Sequence, residues 1–251
     1  MGETDVLMEF MSYPVNDAGS VLARFAALDG AIREGSGSKQ FVYRRGWRED
    51  RVLLVAHSDN VWEGMTYPGD DLNPGIILED GIIRSLVPGF GIGADDRAGC
   101  AMLWLLKDLG HSLLVTAGEE TGLQGARRLM ENRPEIAAEI NESHSFAVEF
   151  DLGKTGLFKC YDVGTDEFRS YVSGETGYED AGRNSCTDIV ALCRTIPGVN
   201  LSTGYYLPHS ESEYIVVNDW IESFNTAERW LSQTGLARFE LVEGDLYDLN
   251  R

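Results

Sequence analysis

The segment from Gly89 to Glu120 places the tightest constraint on how this chain can fold. It contains the acidic pairs Asp95–Asp96 and Glu119–Glu120, each where an apolar segment meets a glycine-rich turn. Between the pairs lie a run with apolar residues three and four positions apart, which predicts a helix, and the strand-like run 113–116. This order predicts an α/β sheet that brings both pairs to the carboxyl ends of its strands, where open α/β sheets bind their ligands.

Other polar residues follow apolar segments in the same way. His57 comes directly after the run 52–56, Asp151 directly after 146–150, and a later loop contains His209. Carboxylates gathered in a cleft repel one another and lose hydration, so a compensating cation is expected. Two histidines with several carboxylates suit zinc or another first-row divalent ion. The carboxylates are too many for one tetrahedral zinc, so we expect two ions that share one aspartate.

Such a site also needs a carboxylate that binds no metal, because a proton must be taken from the attacking water. The adjacent residues Glu119 and Glu120 could divide these two tasks between them. Asp59, two residues after His57, could hold the far nitrogen of that imidazole ring. Each signal has an ordinary alternative, since acidic pairs in a chain with 41 acidic residues are usually solvated surface and a single histidine is usually structural. Their shared position at strand ends favours a site.

The charge and cysteine content limit the classes of partner. A formal net charge of −20 disfavours nucleic acid and anionic membranes as partners. Solubility or a high-salt habitat is the simplest account of this acidity. The four cysteines form no CxxC motif, which favours a reducing compartment over a disulfide framework. The sequence has no signal-like segment and no apolar run of about 18 residues, so we expect a cytoplasmic protein.

The remaining periodicity predicts alternating helices and strands around one core. Strands are expected at residues 41–44, 52–56, 76–78, 82–86, 113–116, 146–150, 158–161, 168–172 and 199–202. Helices are expected at residues 3–11, 18–32, 122–132, 134–139, 188–194 and 213–233. The dipeptide Asp80-Gly81 predicts a tight hairpin turn between two of the strands.

The motifs AHSD, GADDRAG, TAGEETG, EFDLG and YYLPHS, taken as a set, resemble the dinuclear zinc exopeptidase superfamily. This group includes zinc aminopeptidases, peptidase T-like tripeptidases and glutamate carboxypeptidases. The resemblance extends from about residue 52 to residue 232, in the family's order. It implies an α/β fold with three α/β/α layers and a central mixed, mostly parallel sheet, in a single catalytic domain over residues 1–251. It also implies two divalent metal ions per chain, zinc first, with cobalt or manganese as alternatives.

Carried over position by position, the resemblance implies a role for each residue of the site. The implied roles are His57 as ligand of the first metal, Asp59 as the residue that orients it, Asp95 as the bridge between the metals, Glu119 as the general base, Glu120 as ligand of the second metal, Asp151 as the other ligand of the first metal and His209 as that of the second. Glu149, on the same strand face as Asp151, is the alternative ligand. Asp96 and Arg97 are expected to support the ligands from behind.

One departure from the family is informative. Several branches insert a second domain between the last two ligands, whereas Asp151 and His209 are only 58 positions apart here. This spacing resembles the compact aminopeptidase branch and excludes a dimer built through such an insert. Specificity is then expected from loops at the rim of the site, at Trp62, Tyr67, Tyr178, Arg183–Asn184, Cys186 to Asp188 and Tyr205–Tyr206.

These expectations point to metal-dependent hydrolysis of the terminal amide of a small peptide or amino-acid derivative. An aminopeptidase is favoured, because the layout is compact and an acidic rim could hold a substrate ammonium. Three alternatives stay open: an N-acyl amino acid or carboxypeptidase-type amidohydrolase, acyl transfer of the glutaminyl cyclase type, and a catalytically silent binding domain. The sequence leaves the preferred side chain, the physiological metal and the oligomeric state undetermined.

Overall fold

The computed structural model describes residues 2–62, 75–86 and 89–241. The helices are α1 Glu3–Met11, α2 Ala18–Ala26, α3 Ala94–Leu106, α4 Gln124–Asn132, α5 Pro134–Ser143, α6 Asp166–Thr176, α7 Asp188–Leu192 and α8 Val217–Leu231. The strands are β1 Ala31–Glu34, β2 Phe41–Arg44, β3 Leu53–His57, β4 Ile76–Glu79, β5 Ile82–Ser85, β6 Ser112–Thr116, β7 Ala147–Leu152, β8 Leu157–Lys159, β9 Glu179–Asp180, β10 Gly198–Ser202, β11 Tyr205–Tyr206 and β12 Tyr214–Val216.

The main sheet has eight strands in the order β1-β2-β6-β3-β7-β10-β8-β9. Its four central strands, β6, β3, β7 and β10, are parallel, whereas β1, β2 and β8 join the sheet by antiparallel pairing. Every residue of β3, β6 and β10 is buried, as continuous apolar strands covered on both faces require. The expected mixed, mostly parallel sheet is confirmed, and the carboxyl ends of its parallel strands meet at one edge.

Two helical layers cover the two faces of this sheet. Along β3, Leu54 and Ala56 belong to the core formed with α1, α2, α3, α6 and α8, whereas Leu53 and Val55 belong to the core formed with α4, α5 and α7. This alternation follows from the period of two residues in a strand. The three-layer α/β/α arrangement is therefore as predicted.

A second sheet of four antiparallel strands, in the order β11-β12-β5-β4, lies beside the first. The hairpin of β4 and β5 was predicted, and its turn residues Asp80 and Gly81 have φ angles of 50° and 76°, as a tight hairpin turn requires. The strands β11 and β12 were not predicted. Since the loop between them contains His209, this small sheet positions one of the candidate ligands.

The predicted strand at residues 168–172 is wrong, because this segment lies inside α6. Phe168 and Val172 fit an alternating strand pattern, but they are also four residues apart, which suits one face of a helix. The capping residues at the two ends of the segment stabilise the helix. The hydroxyl of Thr165 accepts the N–H of Phe168 at the start, and Gly177 ends the helix with a φ of 74°.

Two predicted helices are shorter than expected. The helix predicted for residues 18–32 ends at Ala26, and Ile32 lies in β1, where it pairs with Tyr43. The helix predicted for residues 213–233 begins only at Val217, after β12. In the first case β1 pairs with the next strand, β2, and in the second β12 pairs with β5, which lies more than a hundred positions away. Strand pairing thus overrides the local periodicity in both. Within the described ranges, no helix is long and apolar enough to cross a membrane.

Two histidines beneath the sheet are buried without a charge. His111 accepts the backbone N–H of Val52 through Nδ1 at 3.2 Å and donates from Nε2 to the carbonyl oxygen of Leu231 at 2.9 Å. Both ring nitrogens are thus satisfied in the neutral form, and burial lowers the pKa of His111 to about 4. His144 faces the Glu139 carbonyl and the Ser112 hydroxyl, and burial lowers the pKa of its imidazole to about 3.

This burial predicts an acid-sensitive contribution of His111 to stability. The unfolded histidine binds a proton below a pH of about 6.5, but the folded one does so only near its lowered pKa. The contribution is therefore complete above that pH and is lost as the pH falls towards the folded pKa. We expect the His111→Gln protein to lose less stability than the parent between pH 7.5 and pH 5.0, by about 2 kcal/mol. Urea unfolding of both proteins at the two pH values, with a chelator present throughout, measures this difference.

Carboxylates near the candidate site also titrate in this range, but they are common to both proteins and cancel in the comparison. Equal pH dependence in the two proteins would contradict the neutral state assigned to His111.

Candidate metal centre

His57 is the last residue of β3, and its ring is buried, with 1% of its surface exposed. Its Nδ1 lies 3.0 Å from the carbonyl oxygen of Asp59, so Nδ1 carries the proton. Its Nε2 lies 3.1 Å from Asp95 Oδ1 and 3.3 Å from Asp151 Oδ1. Burial disfavours the charged imidazole, but Asp151, Asp59 and Asp95 outweigh it and hold the pKa of His57 well above its usual range. The surrounding carboxylates therefore demand a positive charge at this point.

Asp95, in the first turn of α3, presents its two carboxylate oxygens to two different histidines. Oδ1 faces His57, and Oδ2 lies 3.0 Å from His209 Nε2. His209 Nε2 also lies 3.0 Å from Glu120 Oε1. Two triads result, His57–Asp95–Asp151 and Asp95–Glu120–His209, and within each one the ligand atoms all lie within 4.8 Å of one another. The triads share Asp95, which is the arrangement expected of a residue that bridges two cations.

Asp59 connects this strand end to the glutamate pair that follows β6. Its two carboxylate oxygens accept the backbone N–H groups of Glu119 and Glu120, each at 3.3 Å. Oδ1 of Asp59 also lies 3.6 Å from His57 Nδ1. Asp59 therefore fixes the turn that carries Glu119 and Glu120 relative to the imidazole of His57.

Glu119 belongs to neither triad but lies in the same acidic surroundings. Burial, with the nearby carboxylates of Asp151, Asp188 and Glu120, raises the pKa of Glu119 to about 9. Its carboxylate thus has a strong affinity for a proton in the absence of a neighbouring cation. Such a group is protonated at neutral pH, and a nearby cation would lower its pKa and free the carboxylate to accept a proton.

Asp151 is held from several sides. Asn200 accepts the Asp151 N–H at 2.8 Å and donates to the Asp151 carbonyl oxygen at 3.1 Å. Thr187 donates from its hydroxyl to Asp151 Oδ2 at 3.0 Å, which leaves Oδ1 directed at His57. Burial, together with Asp95, raises the pKa of Asp151 to about 7. This carboxylate is therefore oriented before any ligand binds.

The alternative ligand Glu149 lies deeper in the sheet and belongs to neither triad. Its Oε2 accepts the N–H of Ile189 in the first turn of α7 at 3.2 Å. Asp188 of the same turn accepts a hydrogen bond from the hydroxyl of Thr116. Geometry thus favours Asp151 over Glu149 as the group that faces the first triad, and Asp188 lies beneath the site.

Asp96 and Arg97 lie behind the triads. Asp96 Oδ2 accepts the N–H of His57 at 3.2 Å, and its Oδ1 accepts the N–H of Gly99 at 2.9 Å. Arg97 donates to the carbonyl oxygens of Tyr13 and Pro14 at 3.0 and 2.7 Å. Asp96 therefore ties the end of β3 to the start of α3, and Arg97 ties α3 to the segment before α2.

The candidates for the rim divide into two groups. Tyr205 lies at the site, where its hydroxyl donates to the Asp151 carbonyl oxygen at 3.2 Å, and Cys186 is exposed nearby. Tyr178 is buried in the core, and Tyr206 stacks on Tyr214 with 5.1 Å between ring centroids. The expectation that Tyr178 lines the rim is wrong, because its ring packs in the core. Tyr206 is half-buried, and its hydroxyl donates to Asp219. Trp62 packs on Phe90, Arg183 lies 3.8 Å from Asp162, and Tyr67 falls outside the described residues.

Glu213 is a residue that the sequence reasoning missed, because it was assigned to the start of a helix. Its side chain is 2% exposed and accepts backbone N–H groups from the segment before Asp95. Asn200 is likewise predicted only as part of a strand. For Asn200 a signal was available in its polarity, since an amide within an otherwise apolar buried strand needs a partner. Glu213 follows the exposed residues Glu211 and Ser212 and carries no such signal.

The donor set of the two triads fits divalent metal ions. It comprises two imidazole nitrogens and carboxylate oxygens from Asp95, Asp151 and Glu120, which are ligands that zinc and other first-row ions accept. Three carboxylates held this close, with Glu119 beside them, carry a negative charge that two imidazoles alone do not offset. A pair of cations would offset it.

No protein-family model and no curated protein sequence matches the chain. Its fold does match solved structures. Aminopeptidase PepT from Bacillus cereus ATCC 10987 aligns with a TM-score of 0.63 at 14% identity, over 92% of this chain and 97% of that one. A tripeptidase from Staphylococcus aureus aligns with a TM-score of 0.57 at 13% identity, over 92% and 97%. Aminopeptidase APDkam598 from the archaeon Desulfurococcus kamchatkensis aligns with a TM-score of 0.61 at 14% identity, over 92% and 96%. The predicted aminopeptidase-like fold is thereby confirmed.

Proposed function

We propose that this protein is a metal-dependent exopeptidase, an aminopeptidase that hydrolyses the terminal amide bonds of small peptides. The observation that carries the proposal is the Asp95 carboxylate, which belongs to both triads. One of its oxygens faces His57 and the other faces His209. The solved structures of similar fold are an aminopeptidase from Bacillus cereus, a tripeptidase and an archaeal aminopeptidase, which supports a peptide substrate.

In this proposal two divalent ions bind per chain, with zinc the first expectation and cobalt or manganese the alternatives. His57, Asp95 and Asp151 would hold one ion, and Asp95, Glu120 and His209 the other. When bound, such a pair would supply Lewis-acid polarisation of the scissile carbonyl and lower the pKa of the attacking water.

The other steps belong to residues of the chain. Glu119 takes a proton from the attacking water and gives it to the leaving amine. Asp59 holds the backbone N–H groups of Glu119 and Glu120, and so keeps the base and a metal ligand in a fixed relation. Asn200 fixes the backbone of Asp151 and Thr187 fixes its carboxylate, so that less rearrangement is needed when substrate arrives.

The charge around the site supports a substrate with a free amino terminus. Asp188 is fully buried beneath the triads, and its carboxylate, which accepts a hydrogen bond from the Thr116 hydroxyl, adds negative potential at this edge of the sheet. Burial and the neighbouring carboxylates raise the pKa of Glu149 well above its usual range, so Glu149 adds no such charge. A substrate ammonium is attracted to such a potential, whereas a blocked, uncharged terminus is not.

Blocking the amino group is therefore expected to reduce turnover. We expect kcat/KM for free aminoacyl p-nitroanilides to exceed that for their N-acetyl forms by about 10- to 100-fold, because a charge-assisted contact is lost. Initial rates for both series, measured on zinc-, cobalt- and manganese-loaded protein with chelator-treated protein as control, give this ratio.

The other outcomes favour the alternatives. Release of the amino acid from N-acetyl amino acids with a free carboxylate, without hydrolysis of either anilide series, would favour an N-acyl amino acid or carboxypeptidase-type amidohydrolase. Metal uptake with no hydrolysis of either series, or of unblocked di- and tripeptides, would favour a binding domain.

A further inference from the structure

Glu213 is a buried carboxylate held entirely by backbone donors. Its Oε2 accepts the N–H groups of Ile92 at 2.9 Å and Gly93 at 2.7 Å, and its Oε1 accepts the N–H of Asp95 at 3.1 Å. These donors lie in the irregular turn that leads into α3, because Asp95 and Asp96 have non-helical backbone angles. Buried N–H groups need acceptors, and the Glu213 carboxyl group supplies them to this turn.

The same residue belongs to the loop that carries His209. Glu213 lies four positions after His209, and its N–H donates to the Ser210 carbonyl oxygen at 3.1 Å. One side chain thus joins two segments that are 118 positions apart, and each segment delivers a member of the Asp95–Glu120–His209 triad. His209 itself is half exposed, with a φ of 60°, so the ring has little packing of its own to fix it.

The fit between these segments is close. A Cβ atom at Gly91 would lie 2.7 Å from Glu213 Oε2 and 2.7 Å from the Ser210 carbonyl oxygen. Only glycine allows the two backbones to approach this far. The segment before Asp95 and the loop of His209 are therefore in direct contact, and the Glu213 carboxylate lies between them.

The first triad is supported differently. Asp151 is held by Asn200 and Thr187, and the backbone of His57 is held by Asp96. Only Asp95 among the first triad's residues depends on Glu213. Loss of Glu213 should then disturb the second triad, in which it governs two members, more than the first.

We propose that Glu213 is a positioning residue that sets the spacing of His209 and Asp95, and thereby the affinity of the Asp95–Glu120–His209 triad for a divalent ion. This inference rests on the proposed function, because it assumes that the triads bind metal. It concerns affinity and not the chemical step. Supporting residues behind metal ligands commonly change metal affinity by about 10- to 100-fold.

The test is a chelator-buffered cobalt titration of the full-length protein, followed by the visible absorption of bound cobalt and by calorimetry. We expect Glu213→Ala to raise the Kd of one of the two ions by about 10- to 100-fold, while the Kd of the other changes little. Glu213→Gln, which keeps the shape and one acceptor oxygen, should lie between the parent and Glu213→Ala. Glu211→Gln removes a charge from the exposed part of the same loop and should bind both ions as the parent does.

A second set of variants, made in a His209→Ala protein, shows which of the two ions depends on Glu213. In a His209→Ala protein, which retains only the first triad, adding Glu213→Gln should leave the affinity of the remaining ion unchanged. Circular dichroism and thermal unfolding in chelator identify variants that do not fold, and if Glu213→Ala is among them, Glu213→Gln decides.

Parent-like affinity for both ions in a folded Glu213→Gln protein and, where it folds, in Glu213→Ala would overturn the proposal. Equal weakening of both ions would also overturn it, because Glu213 would then act on Asp95 alone. If the parent binds no cobalt, both the proposed function and this inference are wrong. If the parent binds two ions but hydrolyses no peptide, the proposed catalytic activity is wrong and the inference about Glu213 still stands.

Discussion

Replacing Glu119 with Gln should leave two metal ions bound per chain while lowering kcat by about 10²- to 10⁴-fold. The amide has the size of the carboxylate but cannot accept a proton from water. Metal uptake should persist because Glu119 belongs to neither triad, although its carboxylate lies among theirs. Elemental analysis and steady-state kinetics on the same zinc-loaded sample measure both quantities.

A matched change on the surface controls for the loss of one charge. Glu131 is exposed in α4, and Glu131→Gln should retain the parent's kcat. Full activity in metal-loaded Glu119→Gln would remove Glu119 as the base. A fall in metal content to one ion would instead make Glu119 a ligand.

Replacing Asp95 with Ala should lower the metal content from about two ions per chain to one or none and abolish hydrolysis. Asp95 supplies an oxygen to each triad, so its loss removes one of three ligands from both sites at once. No other described carboxylate belongs to both triads. Elemental analysis after reloading with excess zinc and removing free metal gives the number of ions.

The control is Asp108, an aspartate whose side chain is 78% exposed and lies 3.1 Å from the ammonium of Lys107. Asp108→Ala should retain both ions. Two ions in the Asp95→Ala protein would mean that the triads are bound without a bridge. Trace metal in both the parent and the variant would mean that the acidic pairs bind no metal, and a binding domain would become the better account.

The two predictions differ in what they remove. Glu119→Gln leaves all ligands of both triads intact and tests only proton transfer, whereas Asp95→Ala removes one ligand from each triad and tests whether metal is needed at all. Together the two variants distinguish a protein that binds metal but catalyses no hydrolysis from one that neither binds metal nor catalyses hydrolysis.

The sequence by itself determined most of the candidate site, because the relevant residues follow apolar runs. His57 ends β3, Asp151 lies near the end of β7, and Glu119 and Glu120 follow β6. Parallel strands bring their carboxyl ends to one edge whatever their order in the sheet, so local pattern was sufficient to bring these groups together. The three layers were implied by the family resemblance, and the alternating burial along β3 accounts for them physically.

Only the tertiary structure decided the contacts between segments that are distant in the chain. The helix Asp166–Thr176 is a different case, because the caps that settle it, Thr165 and Gly177, are local to the segment and present in the sequence. The strands β11 and β12 are two and three residues long, and their stability comes from pairing that no local pattern records.

Glu213 is the clearest case of this limit. The sequence presents it as one acidic residue among 41. Its partners are backbone N–H groups more than a hundred positions away, and a backbone donor carries no side-chain signature in the sequence. Sequence pattern determines which side chains reach a common edge, whereas the folded chain alone determines which backbone groups hold them there.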